Sequence, residues 1–160
     1  MNLRLIAAIA FVVAPFGVAL TKNEPATAYV YKPSREQAQA ALLATRFLTN
    51  FHYKRVPLDD AMSKTIFDRY LESLDGDKLF FTAADVAEFR RYADALDDAI
   101  FDQKLEPPFE VYQRYVQRVG ERTAHARALL QKGFDFTIDE QYRFDREHAM
   151  WAAGDKELDE

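Results

Sequence analysis

A chain of 160 residues with a formal charge of −5 and no cysteine is long enough for one core and excludes several classes of protein at once. Without thiols there is no disulfide scaffold, no cysteine metal site and no thiolate nucleophile, so the core must hold by packing alone. The acidic balance argues against a nucleic-acid binder, which presents a basic field, while 49% apolar residues rule out disorder.

Met1 to Arg4 is a short segment with one positive charge. Leu5 to Leu20 is a run of apolar or small residues broken by Pro15 and Gly17, and Ala26-Thr27-Ala28 places small residues where a signal peptidase reads. That order predicts a signal peptide over residues 1–28. A spanning helix wants about 20 apolar residues, and this run is shorter. Cleavage after Ala28 would leave Tyr29 to Glu160; an uncleaved run would instead make a membrane-tethered scaffold.

Ser34 with Gln37 is a capping-box pattern and opens a first helix that runs to about Tyr53. Its apolar face is Ala38, Ala41, Leu42, Thr45, Leu48 and His52, with Phe47 and Phe51 beside it. Asp59 and Asp60 suit the N-terminal end of a second helix, roughly Leu58 to Leu74, with Met62, Ile66, Phe67, Tyr70, Leu71 and Leu74 at steps of three and four. Asp75-Gly76-Asp77-Lys78 is a turn, and Leu79-Phe80-Phe81 an apolar plug. Thr82 with Asp85 is a second cap and predicts a third helix from Ala83 to Phe101, striped by Val86, Phe89, Ala93, Leu96 and Ile100. Pro107-Pro108 opens a fourth helix with the stripe Tyr112, Val116, Val119, Thr123, Ala126 and Leu130, closed by Gly133.

The short link between the third and fourth helices predicts an antiparallel hairpin in which Ile100 meets Tyr112 and Val86 meets Ala126. From Phe134 the pattern changes. Phe134, Phe136, Ile138, Tyr142 and Phe144 are spaced by two, two, four and two, as in an extended stretch wrapping the bundle. Ala152 to Glu160 reads as a frayed acidic tail or linker. The fold expected is all-α: a bundle of about four main helices with a trailing extended segment, preceded by a signal peptide.

Chemistry is hard to find. The serines are Ser34, Ser63 and Ser73. Ser34 is a cap, and Ser63 beside Lys64 points about 100° away from it on a helix, so the pair does not make a nucleophile and base. His52, His125 and His148 are far apart and form no metal motif. Asp75-Gly76-Asp77 lacks the spaced ligands and closing glutamate of a calcium loop. Asp94, Asp98 and Asp102 form an acidic row on the third helix, and Arg114, Arg118 and Arg122 a basic row on the fourth. Both fall off the apolar seams and are expected to face outward, as solvated faces rather than docking patches. No catalytic, cofactor-binding or metal residue is assigned.

The stretch Ile66-Phe67-Asp68-Arg69-Tyr70-Leu71-Glu72-Ser73-Leu74-Asp75, followed by Lys78-Leu79-Phe80-Phe81-Thr82-Ala83-Ala84-Asp85-Val86, resembles the N-terminal domain of tail-specific proteases, also called carboxy-terminal processing peptidases. Members carry F-D-x-Y-L-x-x-L-D, then F-x-x-x-D before Ile or Val. Here those positions are Phe67-Asp68, Tyr70-Leu71, Leu74-Asp75, Phe81, Asp85 and Val86. His52-Tyr53-Lys54 before Leu58-Asp59-Asp60-Ala61, and Phe134-Asp135-Phe136 with Asp145-Arg146 and Trp151, are similar too. The likeness covers about residues 36 to 155.

The resemblance implies residence in the periplasm, possible only after export, with or without association with the inner membrane. It implies a PDZ-like domain that captures apolar C-terminal ends of protein substrates at a sheet edge, and a peptidase domain in which a lysine activates a serine. These domains are the expected partners, along with a periplasmic adaptor. No nucleic acid and no cofactor are expected. The expected layout is residues 1–28 signal peptide, 34–150 helical N-terminal domain, and 151–160 the start of a linker to a PDZ-like domain. Such a chain lacks the catalytic dyad, is inactive alone, and should expose an apolar patch where the larger body packs. The alternative is a stand-alone periplasmic helical adaptor without protease activity.

Overall fold

The computed structural model describes residues 30–139 and 141–159; the expected signal peptide lies outside the described residues. Among the described residues the helices are α1 (Arg35–Phe51), α2 (Asp60–Leu74), α3 (Ala83–Phe89), α4 (Leu96–Phe101), α5 (Glu106–Lys132) and α6 (Asp155–Asp159), with a 3-10 turn at Arg90–Tyr92. Among the described residues there is no strand, only an isolated parallel bridge between Thr82 and Ala152. The all-α expectation holds. No helix of the described residues is long and apolar enough to cross a membrane.

Helices begin where side chains satisfy amides that the helix cannot pair itself. The Gln37 amide donates to Ser34 Oγ at 3.2 Å while the Ser34 amide donates to Gln37 Oε1 at 2.8 Å, so the predicted capping box opens α1. Asp59 accepts from the Met62 amide at 2.9 Å and opens α2. Thr82 and Asp85 form the second box and open α3. Gly133, at φ 77°, closes α5 in a backbone region that favours glycine.

The core joins Phe67 and Leu71 of α2, Phe81 of the following turn, Val86 and Phe89 of α3, Leu96 of α4 and Val111 of α5. Phe81 is wholly buried, with its ring edge-on to Phe89 at 5.4 Å. Each such side chain contributes about 1.5–3 kcal/mol by leaving water. The plug between the second and third helices thus anchors the centre of the domain.

The third helix differs from its prediction. It is interrupted: α3 ends at Phe89, a tight turn follows, and α4 starts anew at Leu96. The Ala93 amide donates back to Arg90 and the Ala95 amide to Tyr92, both three residues away rather than four. The Leu96 amide leaves the ladder altogether and donates to Ser63 Oγ of α2 at 2.8 Å. A buried hydroxyl has taken the place of a helix carbonyl, and the apolar stripe is divided between two short helices.

The predicted register of the hairpin is also corrected. α4 and α5 do touch. The face of α5 turned inward carries Val111, Arg114, Tyr115, Arg118 and Arg122, whereas Thr123, Ala126 and Leu130 are exposed. Tyr112, Val116 and Val119 of the expected stripe are half-buried, so the stripe holds in the first half of α5 and is lost in the second, where the inward side is set one residue back, about 100° round the helix. In α1, Ala38 and Leu42 are buried, and the opposite face leaves Leu43, Phe47 and Phe51 in solvent. An exposed apolar patch was expected, and α1 carries one. Beyond α5, none of the described residues from Gly133 to Gly154 is helical, and the chain returns to bridge Thr82 at Ala152 and form α6.

Candidate functional site: two buried carboxylates and the returning chain

The α2–α3 corner is organised by Asp75, the residue that caps the end of α2 and is 2% exposed. A buried carboxylate must find donors. The Leu79 amide donates to Oδ1 at 2.7 Å and the Phe81 amide to Oδ2 at 2.9 Å, with the Phe80 amide shared between both oxygens at 3.2 Å. Three successive amides of the apolar plug therefore converge on one side chain. The fourth donor is distant in sequence: Trp151 Nε1, at 3.2 Å from Oδ2.

Lys78 completes this corner. Its backbone is left-handed, at φ 57°, and its ammonium donates to the Gly76 carbonyl at 2.6 Å. The same ammonium lies 5.3 Å from the centre of the Trp151 ring, a cation–π contact. Arg146 Nε donates to the Asp77 carbonyl at 3.0 Å, and the Ala83 amide to the Ala152 carbonyl at 2.8 Å. The turn at Asp75-Gly76-Asp77-Lys78 is a receptor for the returning chain. The oxygens of Asp75 are engaged by amides and an indole.

Asp85 is the second buried carboxylate, also 2% exposed. It accepts from the Thr82 amide at 3.0 Å and the Thr82 hydroxyl at 2.9 Å within its capping box. Arg114 donates to one oxygen, and Arg118 Nε to the other at 2.8 Å. Burial by itself would raise this carboxyl. The bonds from Arg118, Thr82 and Arg114 outweigh it and hold the group below the usual aspartate value. Arg118 reaches on to Asp155 of α6 at 2.8 Å, and Arg122 to Asp159 and the Leu158 carbonyl. His125 Nδ1 is 3.4 Å from Asp159.

The outward basic row of the sequence reading is thus corrected: Arg118 is only 16% exposed and faces the body. Its stem covers apolar surface while its guanidinium bonds the buried acid. The acidic residues Asp94, Asp98 and Asp102 are exposed, as expected. Ser63 is fully buried and caps α4, while Lys64 is exposed, so they form no dyad. Ser73 donates to the Tyr70 carbonyl at 2.7 Å. His52 is an exposed residue at the end of α1 and His148 is exposed on the returning chain. Tyr70 donates to the Pro108 carbonyl at 2.9 Å, and burial followed by the neighbouring Tyr112 pushes its hydroxyl up to about 12. An open cleft of about 650 Å³ lies between the lead-in residues Val30–Pro33, Phe89 and the start of α5, edged by Glu88, Arg91, Glu110 and Arg114.

The joining of Trp151 to Asp75 and of Asp85 to two arginines leaves no trace in local spacing, because each spans 29 residues or more of chain. The quoted family segments do contain Asp75, Asp85 and Trp151. The residues that carry the resemblance are those that close this corner.

These features define a helical domain whose central corner is fastened by buried acids and refastened by its own C-terminal segment. The chain belongs to the tail-specific protease N-terminal domain family, whose pattern matches residues 44–160. A tail-specific protease of Haemophilus influenzae is 37% identical over 117 residues, which is 72% of this chain. The chain spans 17% of the length of that relative.

Proposed function

We propose that this chain is the non-catalytic N-terminal domain of an exported, periplasmic tail-specific serine endopeptidase. Residues 1–28 serve as the signal peptide, residues 34–150 form the helical domain, and residues 151–160 lead toward a PDZ-like domain. The domain supports that PDZ-like part, which captures apolar C-terminal ends of substrates, and a peptidase domain with a serine–lysine pair. The observation that carries the reading is the identity of 37% over 117 residues to a tail-specific protease, most of whose length lies beyond the aligned stretch. The burial of Ser63 away from Lys64 supports a role without chemistry of its own.

The test is a chimera in which residues 44–160 replace the matched stretch of the Haemophilus influenzae protease. It is assayed on an unstructured peptide with an apolar C-terminus and on the same peptide ending in a charged residue. The chimera should cleave the first in preference to the second, and this chain alone should cleave neither above background. Turnover that tracks the pure chain, or a folded chimera without activity, overturns the reading. N-terminal sequencing of the exported protein should begin at Tyr29.

A further inference from the structure

Between the end of α5 and the returning Arg146 lies a segment that the helical domain does not use. Its sequence, Phe134-Asp135-Phe136-Thr137-Ile138-Asp139-Glu140-Gln141-Tyr142-Arg143-Phe144-Asp145, alternates with period two. Every even position but Glu140 is apolar and every odd position is polar. That is the pattern of a strand with one face buried, and no helix can present it on one side. The structure leaves the apolar set bare: Phe136 is 92% exposed, Phe144 87%, Tyr142 62%, and Phe134 and Ile138 58% each.

The backbone is claimed only at the start, where the Thr137 amide donates to Asp135 Oδ1 at 3.0 Å and the Ile138 amide to the Asp135 carbonyl in a single turn. Among the described residues, no backbone–backbone hydrogen bond involves residues 139–145, and the nearest local ones are Ile138 to Asp135 and Ala149 to Arg146. A stretch longer than about 12 residues without secondary structure is uncommon in a small domain and is usually functional. Here both ends are held, by Gly133 at the close of α5 and by Arg146 on the Asp77 carbonyl. The segment is an anchored loop, not a trailing end.

We infer that residues 134–145 are a strand awaiting its sheet: they pair with an open β-sheet edge in the part of the intact protease beyond this domain, with Phe134, Phe136, Ile138, Tyr142 and Phe144 covering the apolar face of that sheet. This rests on the reading of the chain as one domain of a longer protease. A sheet edge is the occupant because it alone satisfies both observations. It supplies donors and acceptors for the backbone beyond the Asp135–Ile138 turn, and it places side chains of one parity on one face once that turn opens. A helical groove would use neither. The aligned relative, of which this chain spans 17%, has ample chain to supply such an edge, and the segment falls within the family match at 44–160. The exposed aromatics are then an interface, in keeping with what a large apolar patch on a small domain signifies.

The experiment is amide hydrogen exchange on the chimera described above and on this chain alone. In the chain alone, the amides of residues 139–145 should exchange freely at all protein concentrations, and those of Thr137 and Ile138 should be slowed only slightly by their exposed turn. In the chimera the amides of residues 134–145 should slow by about 100-fold, in the alternating pattern of a paired strand. Thr137→Pro and Arg143→Pro, which remove donors at polar positions, should abolish that protection, and Thr137→Lys should keep it. Free exchange in a chimera that still cleaves its peptide overturns the strand while leaving the proposed function intact. An inactive chimera tells against the proposed function itself. Protection that grows with concentration in the chain alone identifies a second copy as the occupant and overturns the inference.

Discussion

At the scale of single residues, two carboxylates carry the domain, and they do so differently. Asp75 gathers three amides and an indole in a place that water does not reach. Asp75→Ala leaves those donors buried and unpaired, at a cost of about 1–3 kcal/mol for each poorly relaxed group, so the urea midpoint should fall sharply. Trp151 is the sole tryptophan, so its emission reports directly on this bond and should shift to the red. An unchanged midpoint and unchanged emission would show that the corner does not depend on Asp75. Asp85 is held ionised by arginines, and its effect is written in pH. Its folded pKa is depressed, so it contributes stability that is present above the ordinary carboxylate value, about 3.9. That contribution is lost as pH falls from there through the folded value. Urea midpoints taken from pH 6 downward should therefore drop below about pH 4, and Asp85→Asn should flatten part of the drop. A variant with the wild-type acid slope would assign the loss to other groups.

At the scale of helices, caps were legible in the sequence and breaks were not. Ser34 with Gln37, and Thr82 with Asp85, act within four residues, where sequence order and spatial order agree. At the interruption between α3 and α4, Ser63 accepts the Leu96 amide across 33 residues. Nothing in the stripe Val86, Phe89, Ala93, Leu96 and Ile100 signals it, since the apolar period continues through the break. Ser63→Ala removes the acceptor in a site that is 0% exposed, so the Leu96 amide is left unpaired. The expected loss is about 1–3 kcal/mol, read as a lower urea midpoint with the helical signal of the folded state preserved. Ser63→Thr should retain most of the stability if the extra methyl fits, and a neutral Ser63→Ala would mean that α4 starts at Leu96 for another reason. The face of α5 is a similar case. Counting apolar residues puts Thr123 and Ala126 inward, yet both are exposed, while Arg114 and Arg118 reach in to the buried Asp85. A period of apolar letters cannot register an ion pair that forms only after two helices meet.

For the whole molecule, the question is how firmly the C-terminal segment is joined to the helices, since that joint would set the direction of any domain that follows. The segment has two fastenings of unlike character. Trp151 and Ala152 sit in the corner, with the indole on Asp75 and the Ala152 carbonyl on the Ala83 amide. α6 is held by Arg118 to Asp155 and by Arg122 to Asp159, acids that remain 73% and 44% exposed, with the Arg122 guanidinium also on the Leu158 carbonyl. Exposed ion pairs contribute about 0–1 kcal/mol and weaken as salt shortens the screening length to about 3 Å at 1 M. The buried indole bond does not weaken in that way. The two fastenings should therefore separate: at high salt α6 should swing free while Trp151 stays seated. The absence of cysteine makes this measurable, because Ala128→Cys and Lys156→Cys give two unique attachment points for spin labels, one on α5 and one on α6. At low salt the distance between them should be narrowly distributed. At 1 M salt, or with Asp155→Asn and Asp159→Asn together, it should broaden while Trp151 emission and the urea midpoint hold. A distribution already broad at low salt would mean that α6 is not fastened at all. One that stays narrow in every condition would mean that the Trp151 anchor alone fixes the end of the domain, and the arginine row of α5 would then serve Asp85 and nothing beyond it.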